Sequence, residues 1–304
     1  MTAPLRLALL GHGFIGQMHE RAALANGLRV SSICHRDDDW RRAVAADDVD
    51  AVVVGTPNAL HHVQALAAIA AGKHVLLEKP MALSVAEATE ITQAAADAGV
   101  TLLVGHMWRY RAEVIAARDR LAAGSVGQPV RTRGYGIHAG WGPSGWFTDP
   151  ALAGGGALID MGIHAIDTAR FLLGDPAPAR VVASLGNAYG DHALDDDGVV
   201  LIDWSMPDRS TVRSVVECGW WQPRLDGVEA DTEVYGTGGY DRIWSDPAAG
   251  PQPPDGEEHC SLPMYAAQMA DFARCCATGA TPIASAEVGL TALAIVEEAY
   301  RSAS

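Results

Sequence analysis

The chain has 304 residues, more than one hydrophobic core usually organises, so its length favours two domains. It carries 22 basic and 37 acidic residues, and the formal charge of -15 argues against nucleic acid or an anionic membrane as the main partner. The 5 cysteines form an odd set without a Cys-x-x-Cys pair, which favours reduced thiols and a cytoplasmic location. No apolar run approaches the length of a membrane span, so we expect a soluble protein.

The first third of the chain alternates short apolar strands with alanine-rich helices. This alternation predicts a Rossmann-type, doubly wound parallel sheet over residues 1–110. Only residues 36–50 separate the second strand from the third, too few for the usual helix, strand and helix. We therefore expect one edge strand to be missing and the adenine site to be more exposed than usual. The predicted strands lie in LRLALL, LRVSSIC, VDAVVV, KHVLL and VTLLV.

The pattern changes after Tyr110, where strand-like runs follow one another with few intervening helices. Such a succession predicts an α+β domain over residues 111–304, built on a mostly antiparallel open sheet. Two helices, near residues 264–278 and 286–302, end the chain. The stretch SDPAAGPQPPDGEE, residues 245–258, has the composition of a surface loop.

A glycine-rich turn follows the first predicted strand. The sequence GHGFIG supplies Gly11, Gly13 and Gly16 between a strand and a helix. Glycines permit a tight turn and close approach of the backbone, and the helix N-terminus then offers N–H groups to a pyrophosphate. The turn, including Phe14 and Ile15, is a predicted cofactor-binding segment.

The end of the second strand bears on the choice between NAD and NADP. Cys34 and His35 stand where an acidic residue would bind the ribose hydroxyls of NAD, and Arg36 follows. An arginine at this place suits a 2′-phosphate, so NADP is slightly favoured. The alternative is that Asp37 or Asp38 binds the ribose and Arg36 is solvated.

Two further motifs carry groups suited to proton transfer. The sequence EKP ends the strand HVLL, which places Lys79 at the carboxyl end of a parallel strand, where ligands of such sheets bind. The sequence GGGALIDMGIHAID places Asp160, His164 and Asp167 on one face of a helix. For Asp167 a structural ion pair or hydrogen bond is the better interpretation.

Together these motifs resemble the glucose-fructose oxidoreductase, inositol dehydrogenase and MocA family over nearly the whole chain. The resemblance implies an NAD(P)-dependent dehydrogenase acting on sugars, sugar derivatives or cyclitols, with Lys79, Asp160 and His164 as catalytic residues. It extends to TPNALHH, WRY, WFTDPALAGGG, VYGTGGY and the last helices. His164 would be the acid/base, because imidazole titrates near neutral pH. Lys79 would bind the reacting oxygen, and Asp160 would bind a substrate hydroxyl or orient the neighbouring cation.

The resemblance also implies other binding residues. Arg109 would bind substrate hydroxyls or join the domains, and Trp146 would lie against a sugar face. The scattered histidines offer no convincing zinc set, so no metal is predicted. Family members use the open sheet of the second domain for contacts between subunits, which predicts a homodimer or homotetramer. The remaining cofactor-binding residues implied by the resemblance are Thr56, Pro57, Asn58, His61, Glu78 and Lys79.

Two alternatives stay open at this point. The same scaffold could serve a glycosidase that oxidises C3 transiently and retains its NAD. The shortened adenine side also makes a catalytically silent NADP-binding regulator conceivable, although the presence of Lys79, Asp160 and His164 speaks against it.

Overall fold

The structure, a computed structural model, describes residues 4–223, 229–243 and 262–303. Its internal contacts divide the chain into two compact units. The first comprises Met1–Tyr110 and Cys260–Thr291, and the second comprises Arg111–His259 and Ala292–Ser304. The loop expected at residues 245–258 lies outside the described residues.

The first unit contains a parallel five-stranded sheet of order β2-β1-β3-β4-β5. The residues of β1, β3 and β4 are almost all buried, as expected for a parallel sheet with helices on both faces. The strands are β1 (Arg6–Leu10), β2 (Arg29–Cys34), β3 (Ala51–Val54), β4 (His74–Leu77) and β5 (Leu102–Val104). The helices between them are α1 (Phe14–Ala25), α2 (Trp40–Val44), α3 (His61–Ala70) and α4 (Val85–Ala98).

The predicted loss of one edge strand is confirmed among the described residues. β2 forms one edge of the sheet, and the connection from β2 to β3 contains only the five-residue helix α2. The usual strand order of a six-stranded nucleotide domain is 3-2-1-4-5-6, and the observed order is the same without strand 3. Because an edge strand has only one neighbour, its removal leaves the buried centre of the sheet intact.

The second unit is built on a six-stranded sheet of order β11-β10-β6-β9-β8-β7. Its neighbouring strands are antiparallel except for β6 and β9, which run parallel. The strands are β6 (Pro129–Ala139), β7 (Ala177–Gly186), β8 (Asp197–Ser205), β9 (Thr211–Gln222), β10 (Thr232–Gly236) and β11 (Gly239–Ile243). The helices of this stretch are α5 (Ala112–Ala122), α6 (Pro150–Ala153) and α7 (Ile163–Leu172). The expected α+β sheet is therefore present, with one parallel pair that was not expected.

The last two helices are α8 (Leu262–Thr278) and α9 (Ala286–Ala303). The sequence places both in a continuous second domain, whereas the structure places α8 in the first unit. α8 packs against α1 of the first unit, where Asn26 donates a hydrogen bond to the Ala266 carbonyl at 3.0 Å. The Tyr110 hydroxyl likewise donates to the Asp271 carboxylate at 2.8 Å. α9 begins in the first unit and ends in the second. The boundary after residue 110 is present, but α8 returns to the first unit because its apolar face is buried there.

Candidate functional site

The glycine turn between β1 and α1 packs tightly at its two ends and is open in the middle. A Cβ atom at Gly11 would lie 2.4 Å from the Gly55 carbonyl oxygen, and one at Gly16 would lie 2.2 Å from the Gly11 oxygen. At Gly13 a Cβ atom would meet nothing within 4 Å. The outer glycines are thus required by packing, whereas Gly13 leaves its backbone open to an approaching group.

The start of α1 fits the pyrophosphate of a dinucleotide. Gly13 is its N-cap residue, so no side chain caps the first turn, and this turn contains no acidic residue. The N–H groups of a first helical turn have no partner within the helix, and they form the positive end of the helix dipole. The predicted Phe14 and Ile15 occupy this turn, with Phe14 45% exposed. Residues 11–16 therefore fit a bound dinucleotide.

The segment after β2 holds the candidates for the ribose or its phosphate. The Cys34 carbonyl accepts a hydrogen bond from the Gly11 N–H at 2.9 Å, which ties the end of β2 to the glycine turn. Residues 35–39 are exposed. The Asp38 carboxylate accepts the His35 N–H at 2.8 Å and so closes a local turn. Arg36, Asp37 and Asp38 thus stay the exposed alternatives for discriminating between NADP and NAD.

Glu78 stabilises the main chain of the EKP segment. It is buried, and its Oε1 lies 2.8 Å from Nε2 of the fully buried His19, while its Oε2 accepts the Lys79 N–H at 3.2 Å. Burial raises the pKa of Glu78, but the hydrogen bond and charge of His19, together with the charge of Lys79, outweigh burial and lower it. A Cβ atom at Gly105 would lie 2.7 Å from this carboxylate, so the glycine makes room for it. Glu78 therefore positions the main chain at Lys79, and its contact with the cofactor stays a prediction.

His61 joins two loops at the carboxyl edge of the sheet. Its Nδ1 lies 2.7 Å from the Pro80 carbonyl oxygen and its Nε2 lies 2.9 Å from the Thr56 oxygen. Burial lowers the pKa of His61 and outweighs the two carbonyl oxygens, which raise it. The neutral ring carries one N–H, so it donates to one of the two oxygens at a time. Both ring nitrogens thus face the backbone, and the contact of His61 with the cofactor stays a prediction.

The remaining residues of the predicted TPN segment lie at the same edge of the first unit. The Thr56 hydroxyl donates to the Gln64 side-chain oxygen at 2.6 Å. Asn58 is buried at the start of a short 3-10 turn that leads into α3, and Pro57 precedes it. Lys79 follows β4 on a half-buried segment, and its peptide bond to Pro80 is cis. Since β1, β3 and β4 are parallel, the glycine turn, TPN and EKP all follow the same ends of the strands.

The three glycines before Asp160 are explained by contacts within the second unit. Gly154 ends α6 with a φ of 77°, a left-handed conformation that favours glycine. A Cβ atom at Gly155 would lie 2.4 Å from the Tyr300 hydroxyl, and one at Gly156 would lie 1.9 Å from the Asp195 carbonyl oxygen. These neighbours account for the three glycines.

Asp195 caps the segment that carries Asp160, and sequence reasoning missed this role. Its carboxylate accepts the N–H groups of Gly156 at 2.9 Å and Leu158 at 2.8 Å, and the hydroxyl of Tyr300 at 2.8 Å. A π-helical turn, Leu158–Gly162, follows and continues into α7. Such turns are rare and often occur at functional sites. The acidic run LDDDG was a possible signal, but its partners lie far away in the sequence.

Asp160 and His164 lie together on this buried segment. The Asp160 Oδ2 accepts the Trp220 indole N–H at 3.1 Å and lies 3.7 Å from Nε2 of His138. His164 and Asp167 are buried one and two turns further along. The predicted grouping of Asp160 and His164 on one helical segment is therefore seen, although the segment begins as a π-helical turn. No local pattern indicated Trp220 or His138, because both lie on distant strands.

His138 is a buried titratable group of the second unit with two carboxylates beside it. Its Nδ1 lies 3.5 Å from a Glu229 carboxylate oxygen. Burial lowers the pKa of His138, but Asp160 and Glu229 outweigh burial and raise it to about 9. The His138 ring also stacks against Trp141 at a centroid distance of 3.7 Å. The carboxylate of Asp160 therefore has the imidazolium of His138 beside it.

Arg109 and Trp146 lie in different surroundings. Arg109 is only 1% exposed, in a 3-10 turn of the first unit over Met107–Tyr110. Trp146 is half-buried in the second unit and stacks on Phe147 at 3.8 Å. Their contacts with a substrate stay predictions.

The part of the chain that the structure describes shows neither a metal-binding cluster nor a membrane-spanning helix. Within it, no three or more His, Cys, Asp or Glu side chains group in a way that could hold a metal ion. None of the described helices is long and apolar enough to cross a membrane.

The parallel sheet and its open glycine turn define the class of the protein: the first unit is a Rossmann-type dinucleotide-binding domain. Residues 13–106 match the family model described as an oxidoreductase family with an NAD-binding Rossmann fold. Residues 114–240 match the GFO/IDH/MocA C-terminal domain. The chain belongs to the GFO/IDH/MocA family and is an NAD(P)-dependent oxidoreductase.

Known relatives agree with this assignment. The rhizopine catabolism protein MocA of Rhizobium meliloti is 31% identical over 315 residues, which cover 97% of this chain and 93% of MocA. A 1,5-anhydro-D-fructose reductase of Ensifer adhaerens is 42% identical over 156 residues, but the match covers only 50% of this chain and 46% of the reductase.

The fold is shared with solved structures. GenD2 from gentamicin A biosynthesis, in complex with NAD, superposes with a TM-score of 0.81 at 26% identity, over 100% of this chain and 95% of GenD2. The curated relatives include dehydrogenases and reductases for sugars and cyclitols, so the glycosidase alternative is not favoured.

Proposed function

We propose that the chain transfers a hydride between a nicotinamide cofactor and a hydroxyl or keto carbon of a sugar, sugar derivative or cyclitol. The observation that carries this proposal is the edge of the first sheet, where the open turn at Gly13 and the EKP segment with Lys79 follow parallel strands. Ligands of such sheets bind outside the carboxyl ends of the strands. A dinucleotide lying along this edge can therefore reach from the turn toward Lys79.

Lys79, Asp160 and His164 are the proposed catalytic residues. The nicotinamide supplies the hydride acceptor for oxidation and the donor for reduction. Lys79 binds the reacting oxygen through its ammonium group and stabilises the negative charge that develops there. In the direction of oxidation, His164 takes the hydroxyl proton as a general base, and in reduction it returns the proton. Asp160 accepts a hydrogen bond from a substrate hydroxyl and fixes the ring.

A polyhydroxylated ring is the substrate class that these groups suit. A carboxylate such as Asp160 accepts from hydroxyl groups, and the half-buried Trp146 offers an apolar face to ring C–H groups. The name of the Ensifer relative denotes reduction of a sugar derivative, which supports the same class. Because this chain spans less than half of that relative, the substrate itself stays a proposal.

The test of this function is a screen of purified protein with sugars and cyclitols, using NAD+ and NADP+ and following absorbance of the reduced cofactor. Turnover of at least one ring substrate, abolished in Lys79→Met, is the expected result. Tight dinucleotide binding without turnover of any ring substrate would contradict the proposal and favour the silent regulator.

For the cofactor we favour NADP, with Arg36 as the residue that binds the 2′-phosphate. Calorimetric titration should show NADPH binding more tightly than NADH, and Arg36→Ala should remove that difference. Arg42→Ala is the matched control, because Arg42 is also exposed but lies in α2, the helix that follows the Arg36 segment. Tighter binding of NADH in the wild type would refute the Arg36 interpretation and favour Asp37 or Asp38.

We also propose a cytoplasmic homodimer or homotetramer formed through the sheet of the second unit. On β8, Val199 and Leu201 are exposed in alternation with buried residues, which gives one face of the strand an apolar surface. Light scattering should report an oligomer that Leu201→Glu dissociates, and a monomeric wild type would refute this assembly. Four described cysteines carry free thiols, as expected in a reducing compartment: Cys34, Cys218, Cys275 and Cys276.

A further inference from the structure

His138 lies at the end of β6 between two carboxylates from other parts of the second unit. Its Nε2 is 3.7 Å from Asp160 Oδ2, and its Nδ1 is 3.5 Å from Glu229 Oε1. Its side chain is 11% exposed, and those of Asp160 and Glu229 are buried to a similar extent. The separations are within ion-pair range but longer than ordinary hydrogen bonds, so attraction between charges holds the ring.

The surroundings of His138 favour its charged form. Burial alone lowers the pKa of His138, but the two carboxylates raise it to about 9. An imidazolium is therefore present at neutral pH, with one positive charge between two negative ones. Among the described residues, the charged groups that face this ring are Asp160 from the π-helical turn and Glu229 from the turn before β10.

The backbone around this cluster adopts uncommon conformations. Trp221 and Glu229 both have a φ of 54°, in the left-handed region that residues other than glycine rarely enter. Hydrogen bonds hold both residues there: the Glu229 N–H donates to the Ile137 carbonyl at 3.0 Å, and the Trp221 N–H donates to the Trp141 carbonyl at 2.7 Å. Such conformations persist where the surrounding structure imposes them, and they concentrate at functional sites. The conformation at Glu229 presents its carboxylate to His138.

An aromatic side chain completes the cluster. The Trp141 ring lies against the His138 ring at a centroid distance of 3.7 Å, tilted by 36°, while 44% of Trp141 is exposed. The face of a tryptophan attracts a cation and excludes water from that side of the ring. Trp141 therefore stabilises the imidazolium while presenting an exposed aromatic surface.

We propose that His138 is a positioning residue for Asp160: as a buried imidazolium, it keeps the Asp160 carboxylate ionised and oriented toward a substrate hydroxyl. Glu229 balances the charge of His138 and holds its second nitrogen. Trp220 fixes the same Asp160 oxygen by its indole N–H. This inference rests on the proposed function, because it assigns a role to His138 through Asp160.

The charge of His138 can be measured without any turnover. Full-length protein with 13C-labelled histidine is titrated by NMR, and the His138 signal is assigned by its loss in His138→Gln. We expect the His138 signal to titrate near pH 9 and to move toward the ordinary histidine value in Asp160→Asn and in Glu229→Gln. His62→Gln is the control, because His62 pairs with Glu90 in an exposed part of the first unit. Titration of His138 at or below 6.5 in the wild type would overturn the inference.

Kinetics separate a positioning role from a merely structural one. At neutral pH, His138→Gln should lower kcat roughly 10- to 100-fold, as for other partners that orient a reacting group. Its dinucleotide dissociation constant should stay within about twofold of wild type, because the glycine turn belongs to the other unit. Glu229→Gln should move the alkaline limb of the kcat profile toward lower pH, because His138 then loses its proton earlier.

The outcomes distinguish this inference from the function on which it rests. Full activity of a folded His138→Gln variant overturns the positioning role while leaving the proposed reaction intact. If the wild type turns over no ring substrate, the proposed reaction fails and the role of His138 in it fails as well, whatever the NMR titration shows.

Discussion

Each unit places a buried histidine and a carboxylate next to a proposed catalytic residue, but the two clusters differ in what they act on. In the first unit, His19 and Glu78 are 2.8 Å apart, and Glu78 accepts the main-chain N–H of Lys79. In the second unit, His138 lies 3.5 Å and 3.7 Å from two carboxylates, one of which belongs to the proposed catalytic residue Asp160.

The difference separates two ways of supporting a reacting group. Glu78 acts on the backbone, because its Oε2 accepts the main-chain N–H of Lys79. His138 acts on the side chain that would meet the substrate, so its protonation changes the charge beside Asp160. Changes in the first cluster should therefore alter stability, whereas changes in the second should alter the pH dependence of activity.

The largest effect is expected from Lys79→Met, which removes the ammonium group and keeps a similar shape. We expect kcat to fall by about 10³-fold or more, the scale of a lost proton-transfer and charge-stabilising group, with little change in dinucleotide affinity. Steady-state kinetics and calorimetry measure the two quantities. Lys73→Met is the control, since Lys73 donates to the carbonyls of Ala46 and Val49 and should cost stability only. A Lys79→Met variant with kcat within tenfold of wild type would refute the catalytic role.

The next effect separates binding from packing within the glycine turn. Gly13→Val should lower dinucleotide affinity by about 10-fold or more, because its side chain enters open space where the pyrophosphate is expected, and should lower Tm only slightly, through the poorer N-cap. Gly16→Val should instead destabilise the protein by about 1–3 kcal/mol, because its side chain meets the Gly11 backbone. Equal affinity in Gly13→Val and wild type would contradict the assignment of this turn.

A smaller effect tests the support of the segment that carries Asp160. Asp195→Ala leaves the N–H groups of Gly156 and Leu158 and the Tyr300 hydroxyl without this acceptor, and should cost about 2 kcal/mol of stability and lower kcat. Asp197→Ala is the matched control, because that carboxylate is on an exposed residue and accepts from Gln222 alone among the hydrogen bonds described. Chemical denaturation and kcat report both effects, and equal losses in the two variants would argue against a capping role.

The smallest effect is a pH dependence of stability from Glu78. Its pKa is lower in the folded state than the ordinary value of 4.5, so its contribution is complete above that pH and is lost as the pH falls through the folded pKa. Glu78→Gln should therefore lower Tm at pH 7 and lose less stability than wild type on acidification below pH 4.5.

Glu90→Gln provides the control for this prediction. Glu90 also lies 2.8 Å from a histidine, His62, but its side chain is 61% exposed, so the change should stay within about 0.5 kcal/mol at every pH. If Glu78→Gln and Glu90→Gln change the pH dependence of stability equally, burial does not strengthen the interaction of Glu78 with His19.

Local sequence patterns predicted the elements and the motifs that are contiguous in the chain. Alternating strands and helices gave the parallel sheet, and the short connection after β2 indicated the missing edge strand. The glycine turn and the EKP segment were found because each lies within a few residues of one strand end. The same patterns could not place α8, because its burial against α1 joins residues that are far apart in the sequence.

The support of the proposed site was beyond local reasoning for the same physical cause. His138 and Trp220 come from different strands to meet Asp160, and Asp195 caps the segment from a distant loop. None of these residues has a neighbour in the sequence that marks its partner. His61 was noticed, but only its two backbone contacts revealed that it joins loops.

The sequence by itself determined the fold class, and its motifs resemble one family over nearly the whole chain. It also predicted Lys79 at a strand end and Asp160 and His164 on one helical segment, because spacing along a strand or helix fixes which side chains share an edge or a face. The tertiary structure alone decided the return of α8, the π-helical turn and the charge of His138. These features depend on packing and on the distances between charges that folding brings together. No local sequence pattern specifies those distances.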